Sequence, residues 1–143
     1  MAERKASAEW KGNLMQGVGT MSLGSGAFEG KFSFNTRMGD EPGTNPEELI
    51  GAALAGCYSM ALNATLEKQG TPATDVRSEA VVHFGKDEAG FAIKSIDLET
   101  KAAVQGISEE DFRQTAESVK ETCPVSKALA AVPIRLNASL ANG

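Results

Sequence analysis

The stretch from Thr44 to Gly70 constrains this chain more than any other part of it. Asn45 is a good N-cap, and Pro46 suits the first helical position because its missing N–H would have no intrahelical partner there. Glu48, at the third position, would complete a capping box. Gly70 can adopt the left-handed conformation that ends helices, and Pro72 cannot continue one. The signals predict a helix over 46–69, which at 1.5 Å per residue is about 36 Å long. Ile50, Ala53, Leu54, Cys57, Ala61 and Ala64 fall on one stripe at helical spacing. Small residues fill much of the remainder, the habit of a central helix wrapped by a sheet or packed on its own copy. Cys57 is therefore expected to be buried in mid-helix.

A chain of 143 residues with 41% hydrophobic content is expected to be a single domain, 1–143, with material for a core. Its net charge of −5 and its few aromatics argue against nucleic acid and against anionic membrane as partners. No apolar segment is expected to be both long and uncharged enough to span a bilayer, and Met1-Ala2-Glu3-Arg4-Lys5 lacks the apolar core of a signal peptide. The expected location is the cytoplasm. In a reducing compartment the two cysteines are not expected to form a structural staple, which leaves two buried thiols or a redox pair.

In chain order, 6–12, 16–23 and 27–34 read as short strands separated by glycines. Gly17-Val18-Gly19 and Gly24-Ser25-Gly26 precede no helix that could hold a phosphate, so they are read as turns and bends. After the central helix, 75–85 alternates, with Val76, Ser78, Ala80, Val82 and Phe84 on one face. A strand over 91–103 changes apolar phase between Ile93 and Ile96, as a bulge near Lys94-Ser95 would produce. Ser108 caps a helix carrying Phe112, Ala116 and Val119 that stops near Thr122. Cys123 precedes Pro124 and is placed as the N-cap of a short helix over 124–130. Ile134, Leu136, Ala138 and Leu140 then alternate along a last strand.

The chemistry centres on the thiols. Helix N-terminal amides should lower the pKa of Cys123, whereas burial should raise that of Cys57 unless a cation reaches it. Arg37, at the end of Phe34-Asn35-Thr36-Arg37, is the nearest candidate before the helix, in a loop that could fold back over it. Spacing alone does not raise it above a solvated surface charge. His83 reads as a surface residue on a strand rather than a partner of Cys57. Two cysteines and one histidine lack the spacing of a zinc site. The sequons at Asn63 and Asn137 read as chance, and Glu47 and Glu48 as helix-start residues that favour the dipole.

Four segments together carry a family resemblance: Phe34-Asn35-Thr36-Arg37, Gly43 to Ala53, Cys57 to Leu62, and Cys123-Pro124-Val125-Ser126. In this order and separation they resemble the osmotically inducible protein C (OsmC) and organic hydroperoxide resistance (Ohr) family, and the arginine placement resembles the OsmC branch. Tyr58 stands where phenylalanine is expected. The resemblance implies an α+β, OsmC-like fold in which antiparallel sheets wrap a long central helix in an intertwined homodimer. It implies a thiol peroxidase, with Cys57 peroxidatic, Cys123 resolving, and Arg37 with Glu47 as the activating pair. Organic hydroperoxides would be the substrates, with hydrogen peroxide a poorer one, in defence against oxidative or osmotic stress. An external dithiol, of lipoyl type by the same resemblance, would reduce the Cys57–Cys123 disulfide, and no metal, haem or flavin would be needed.

An apolar lining from Phe34, Ile50, Leu54 and Met60 would suit an organic substrate. Glu47 and Cys57 are about 15 Å apart along one helix. Glu47 is therefore expected to reach the thiol from a second subunit. Two other classes stay open: a non-enzymatic redox sensor using the same disulfide, and a plain structural domain with two inert thiols.

Overall fold

The computed structural model describes residues 1–141. Its backbone divides into two compact units, Met1–Leu49 and the remainder from Ile50 onward.

Unit 1 is an antiparallel meander followed by a short helix. Strands β1 (Ala6–Lys11), β2 (Val18–Leu23) and β3 (Glu29–Phe32) pair in the order β1-β2-β3. Gly19 faces the Phe32 ring so closely that a Cβ there would stand 2.5 Å from it, and Trp10 lies 5.5 Å from the same ring on its other neighbour. The segment expected to end as strand and loop instead forms helix α1 (Phe34–Met38), and Arg37 sits in its last turn. The reason is local. Ser33 and Thr36 make a reciprocal capping box, Thr36 N donating to Ser33 Oγ at 3.2 Å and Ser33 N to Thr36 Oγ1 at 2.8 Å, which satisfies helix-start donors that an extended chain would not present.

Helix α2 (Pro46–Lys68) is the predicted long helix. Asn45 caps it, its Oδ1 accepting from Glu48 N at 2.8 Å. The Glu48 side chain does not complete the expected box and accepts from Thr44 Oγ1 at 2.7 Å instead. At the far end Gly70 adopts φ +85°, and Thr71 N donates to Leu66 O at 2.9 Å, the helix stop that glycine permits.

The rest of unit 2 is the hairpin β4 (Ala73–Asp87) and β5 (Gly90–Val104), helices α3 (Glu109–Thr122) and α4 (Pro124–Ala128), and strand β6 (Ile134–Leu140), with the strands in the order β4-β5-β6. His83 faces Ser95 while Phe84 faces Ile93, so Lys94 is the extra residue of the expected bulge. β6 runs parallel to β5. The second sheet is therefore mixed, not antiparallel as expected, because two helices rather than a turn connect β5 to β6.

The core of unit 2 joins Leu54, Tyr58, Leu62 and Leu66 of α2 to Ile96, Leu98, Ala102 and Val104 of β5 and to Phe112, Ala116 and Val119 of α3. The buried ridge of α2 thus recurs every four residues from Leu54. The expected stripe is only half right: Ala53 and Ala64 are exposed. Apolar and small residues surround this helix, and the large side chains, with more surface to withdraw from water, decide which side faces the core.

One expectation is overturned outright. By length and composition α2 is able to cross a bilayer, with a mean hydropathy of 1.4 over its best window. Its charges, Glu47, Glu48, Glu67 and Lys68, all lie outside the run from Leu49 to Leu66. In this structure one face of that run is packed into the core of unit 2, while Ala52, Ala53, Gly56, Met60 and Ala64 are exposed.

Candidate active site

Unit 2 brings the two cysteines together. Cys57 is half-buried in the middle of α2, and Cys123 is fully buried between α3 and α4. Pro124 disfavours α geometry for the residue before it, and Cys123 accordingly takes φ −58°, ψ 125°. Its N–H donates to Val119 O at 2.9 Å and its carbonyl accepts from Lys127 N at 3.0 Å. It closes one helix and opens the next, as its place before proline predicts. Pinned in this way, its sulfur stands 3.0 Å from that of Cys57. The two thiols are free, about 1 Å beyond the length of a disulfide bond.

Their acidities diverge. Burial pushes the Cys57 thiol up and its hydrogen bond with Cys123 adds to this, against a smaller opposing effect of the Val125 amide. Burial also pushes Cys123 up. It is outweighed by the hydrogen bond shared with Cys57, by the amide and hydroxyl of Ser126 and by the Val125 amide, so that Cys123 lies below its ordinary value. Both directions match the sequence expectation. Of the two thiols, Cys123 is therefore the more readily ionised.

Unit 1 builds the other charged group. Arg37 Nε donates to both carboxylate oxygens of Glu47, at 3.0 and 3.2 Å, and Nη2 to Oε1 at 2.5 Å. Glu47 is buried, whereas the Arg37 side chain is 40% exposed. The arginine is thus half of a bidentate ion pair rather than a lone solvated charge.

A polar staple holds this pair in place. Thr36 Oγ1 donates to Thr44 O at 2.8 Å, Thr44 N to Lys31 O at 2.8 Å, and Ser33 Oγ to Glu41 Oε2 at 3.0 Å. The loop between α1 and α2 is thereby closed on itself, bringing Glu47 to Arg37.

The residues expected to line a substrate pocket differ in exposure. Leu54 is fully buried in the core of unit 2, while Met60 is 75% exposed. Ile50 and Phe34 are half-buried. Large aliphatic side chains on α2 are claimed by the core before they can line a cleft. His83 lies on an exposed strand face, 2.8 Å from Asp97.

Comparison with known proteins decides the lineage. The sequence profile of the OsmC-like protein family matches residues 39–137. The chain belongs to the OsmC family. It is 44% identical over 129 residues to the peroxiredoxin OsmC of Escherichia coli K12, covering 90% of each protein. The crystal structure of the organic hydroperoxide resistance protein OhrB of Bacillus subtilis has a TM-score of 0.75 and 26% identity, covering 94% of this chain and 98% of the other. A structure of an organic hydroperoxide resistance protein from Elizabethkingia anophelis, at 22% identity, shares the fold with a TM-score of 0.79, covering 97% and 98%.

For this OsmC-family chain, sequence reasoning had overlooked three hydroxyl residues. Thr36 and Thr44 form the staple, and Ser126 sits beside Cys123. The signal for the first was Ser33 three residues before Thr36, a capping pair. For Ser126 it was the three-residue offset from an N-cap cysteine.

Proposed function

We infer that this chain is a cysteine-based peroxidase that reduces organic hydroperoxides with electrons from a thiol. The observation that carries the reading is the 3.0 Å separation of the Cys57 and Cys123 sulfurs, in a chain whose relatives are peroxiredoxin OsmC and organic hydroperoxide resistance proteins.

In the proposed cycle the Cys57 thiolate attacks the terminal peroxide oxygen. The O–O bond breaks, the alcohol departs, and Cys57 becomes a sulfenic acid. Cys123 then attacks that sulfur, expelling the oxygen as water and leaving a Cys57–Cys123 disulfide. An external dithiol, of lipoyl type on the family resemblance, restores both thiols and is itself oxidised. Such dithiols are kept reduced in the cytoplasm, the proposed setting, and the whole of 1–143 acts as one catalytic domain. Hydrophobic preference in the substrate would come from Phe34, Ile50 and Met60. Leu54, sealed in the core, is not proposed to contribute.

Because burial disfavours the Cys57 thiolate, the attack needs a cation that stabilises its charge. Arg37, oriented by Glu47, is proposed for that role. Glu47 and Cys57 lie about 15 Å apart along α2, and Arg37 is locked to Glu47 of its own chain. The arginine–glutamate pair therefore acts together, on the Cys57 of a partner subunit. The exposed, small-sided face of α2 supports such a homodimer, since nothing stands within 4 Å of a Cβ built on Gly56 and another helix can approach closely there.

The test is subunit exchange between Glu47→Ala and Cys57→Ser proteins, assayed with cumene hydroperoxide and dithiothreitol. Activity of the mixture well above either parent is expected, because each mixed dimer regains one complete site. No recovery after exchange has been verified by mass spectrometry would return Glu47 to its own chain's site, and no peroxidase activity in the wild-type protein would overturn the whole reading.

A further inference from the structure

In the peroxidase cycle just proposed, on which this inference rests, reduction of the disulfide must choose between two sulfurs. Cys123 is fully buried and Cys57 is half-buried, so an external thiolate reaches Cys57. It forms a bond to that sulfur, the Cys57–Cys123 bond breaks, and Cys123 leaves carrying the electron pair as a thiolate. A second thiol of the reductant then displaces Cys57 and completes the reductant's own disulfide. The leaving group is thus an anion formed in a buried place, where desolvation opposes it.

Ser126 stands where that anion forms. It lies three residues beyond Cys123, in the first turn of α4, and is 7% exposed. Its Oγ is sealed from solvent and has no hydrogen-bond partner, a costly condition for a buried hydroxyl. With Cys123 as the N-cap of α4, Ser126 holds the third helical position, from which a side chain faces back to the N-cap residue, and its amide and hydroxyl favour the charged form of the Cys123 sulfur.

We propose that Ser126 is the leaving-group residue of disulfide reduction, its hydroxyl left unpaired beside the thiol and satisfied only by the departing Cys123 thiolate. A bond that forms with the charge favours product and transition state over the disulfide, which is how a single donor accelerates a step.

The experiment compares Ser126→Ala and Ser126→Thr with wild type after each has been oxidised with diamide, so that no peroxidase activity is required. Reduction of the disulfide by excess dithiothreitol is expected to slow about fivefold or more in Ser126→Ala, because a poorer leaving thiolate departs more slowly. Ser126→Thr, which keeps the hydroxyl, should stay near wild type. In a Cys57→Ser background, Ser126→Ala should also move the pH midpoint of Cys123 alkylation upwards, a readout that loose packing alone would not shift. Unchanged reduction rate and alkylation midpoint would overturn the proposal, as would a Ser126→Thr protein that behaves like Ser126→Ala. Failure of the peroxidase reading would appear separately, as wild-type protein that never turns over hydroperoxide.

Discussion

In unit 2 the side chains withdrawn from water are mostly apolar, Leu54, Tyr58, Leu62, Leu66, Ile96, Phe112 and their neighbours, with Thr100, Thr115 and Ser126 among them, whereas in unit 1 they are Ser33, Thr36, Thr44 and Glu47. Unit 1 meanwhile leaves Trp10, Leu14, Met15, Val18, Leu23 and Phe28 exposed. The difference follows what each unit has to hold. Two thiols must be kept at contact distance while remaining free to bond and separate, and close apolar packing fixes the backbones that carry them without competing for their protons. The role proposed for Arg37 requires its guanidinium to be aimed, and aiming needs directional bonds, which the Thr36–Thr44 staple and the Glu47 carboxylate supply. A sheet with so little buried apolar surface of its own gains stability from whatever covers it. That fits the proposed dimer.

The largest effects should come from the apolar unit. Cys57→Ser is expected to abolish reaction with hydroperoxide. Cys123→Ser should still consume about one equivalent and then climb to sulfinic and sulfonic acid, because no second thiol traps the sulfenic acid. Mass spectrometry after peroxide treatment reads both outcomes. Sulfenic acid appearing on Cys123 of the Cys57→Ser protein as fast as on wild-type Cys57 would reverse the two roles.

Next in size are the changes to the polar unit. Arg37→Ala should slow attack on peroxide by about tenfold or more, since one unit of thiol pKa corresponds to about 1.4 kcal/mol. Burial raises the Cys57 pKa above its ordinary value. The rate should therefore climb as pH rises towards the thiol pKa, and removing the cation should move that climb to higher pH. Thr36→Val removes the staple while keeping the shape. It leaves Thr44 O and Ser33 N short of a partner, at about 1–3 kcal/mol for each group that stays buried, and should reproduce part of the Arg37→Ala shift. A Thr36→Val protein with a wild-type pH profile would show that the pair is aimed without the staple, and the contrast between the units would fail.

Much of this was legible in the sequence, for reasons that differ between the units. Caps and stops are local, so Asn45, Gly70, Ser108 and Pro124 marked their helices within a residue or two, and the phase change at Lys94 marked the bulge. Cys123 was placed because proline acts on its immediate neighbour. The site residues were named by family resemblance, and that resemblance did not say that Arg37 and Glu47 pair within one chain. What stayed hidden depended on tertiary choice. Helix α2 is apolar nearly all round, so its pattern could not say that Leu54 belongs to the core and Met60 to the surface. Strand β6 carries an alternation that reads alike for parallel and antiparallel pairing, and only the helical connection decides between them. The Thr36–Thr44 staple spans a loop whose closure no periodicity records.

The smallest effect should come from a single polar bond that ties two helices in the core of unit 2. Tyr58 is fully buried, and its hydroxyl donates to Ala116 O at 2.9 Å, tying α2 to the middle of α3. Burial holds that phenol well above its usual range, so it remains a donor at every pH the protein meets. Tyr58→Phe removes the donor but keeps the ring. Ala116 O, inside a helix, retains the partner that the helix provides. The loss should therefore be about 1 kcal/mol, or a fall in Tm of about 3 °C for a domain of this size. If apolar packing sets the distance between α2 and α3, the rate at which Cys123 captures the Cys57 sulfenic acid should change by less than about twofold, within the error of a few tenths of a kcal/mol expected of a conservative change. Rapid alkylation followed by mass spectrometry measures that rate. A slowing of about tenfold, equivalent to 1.4 kcal/mol, would mean that the Tyr58 hydroxyl sets the approach of the two sulfurs, and that unit 2, like unit 1, relies on a directional bond to place its reactive groups.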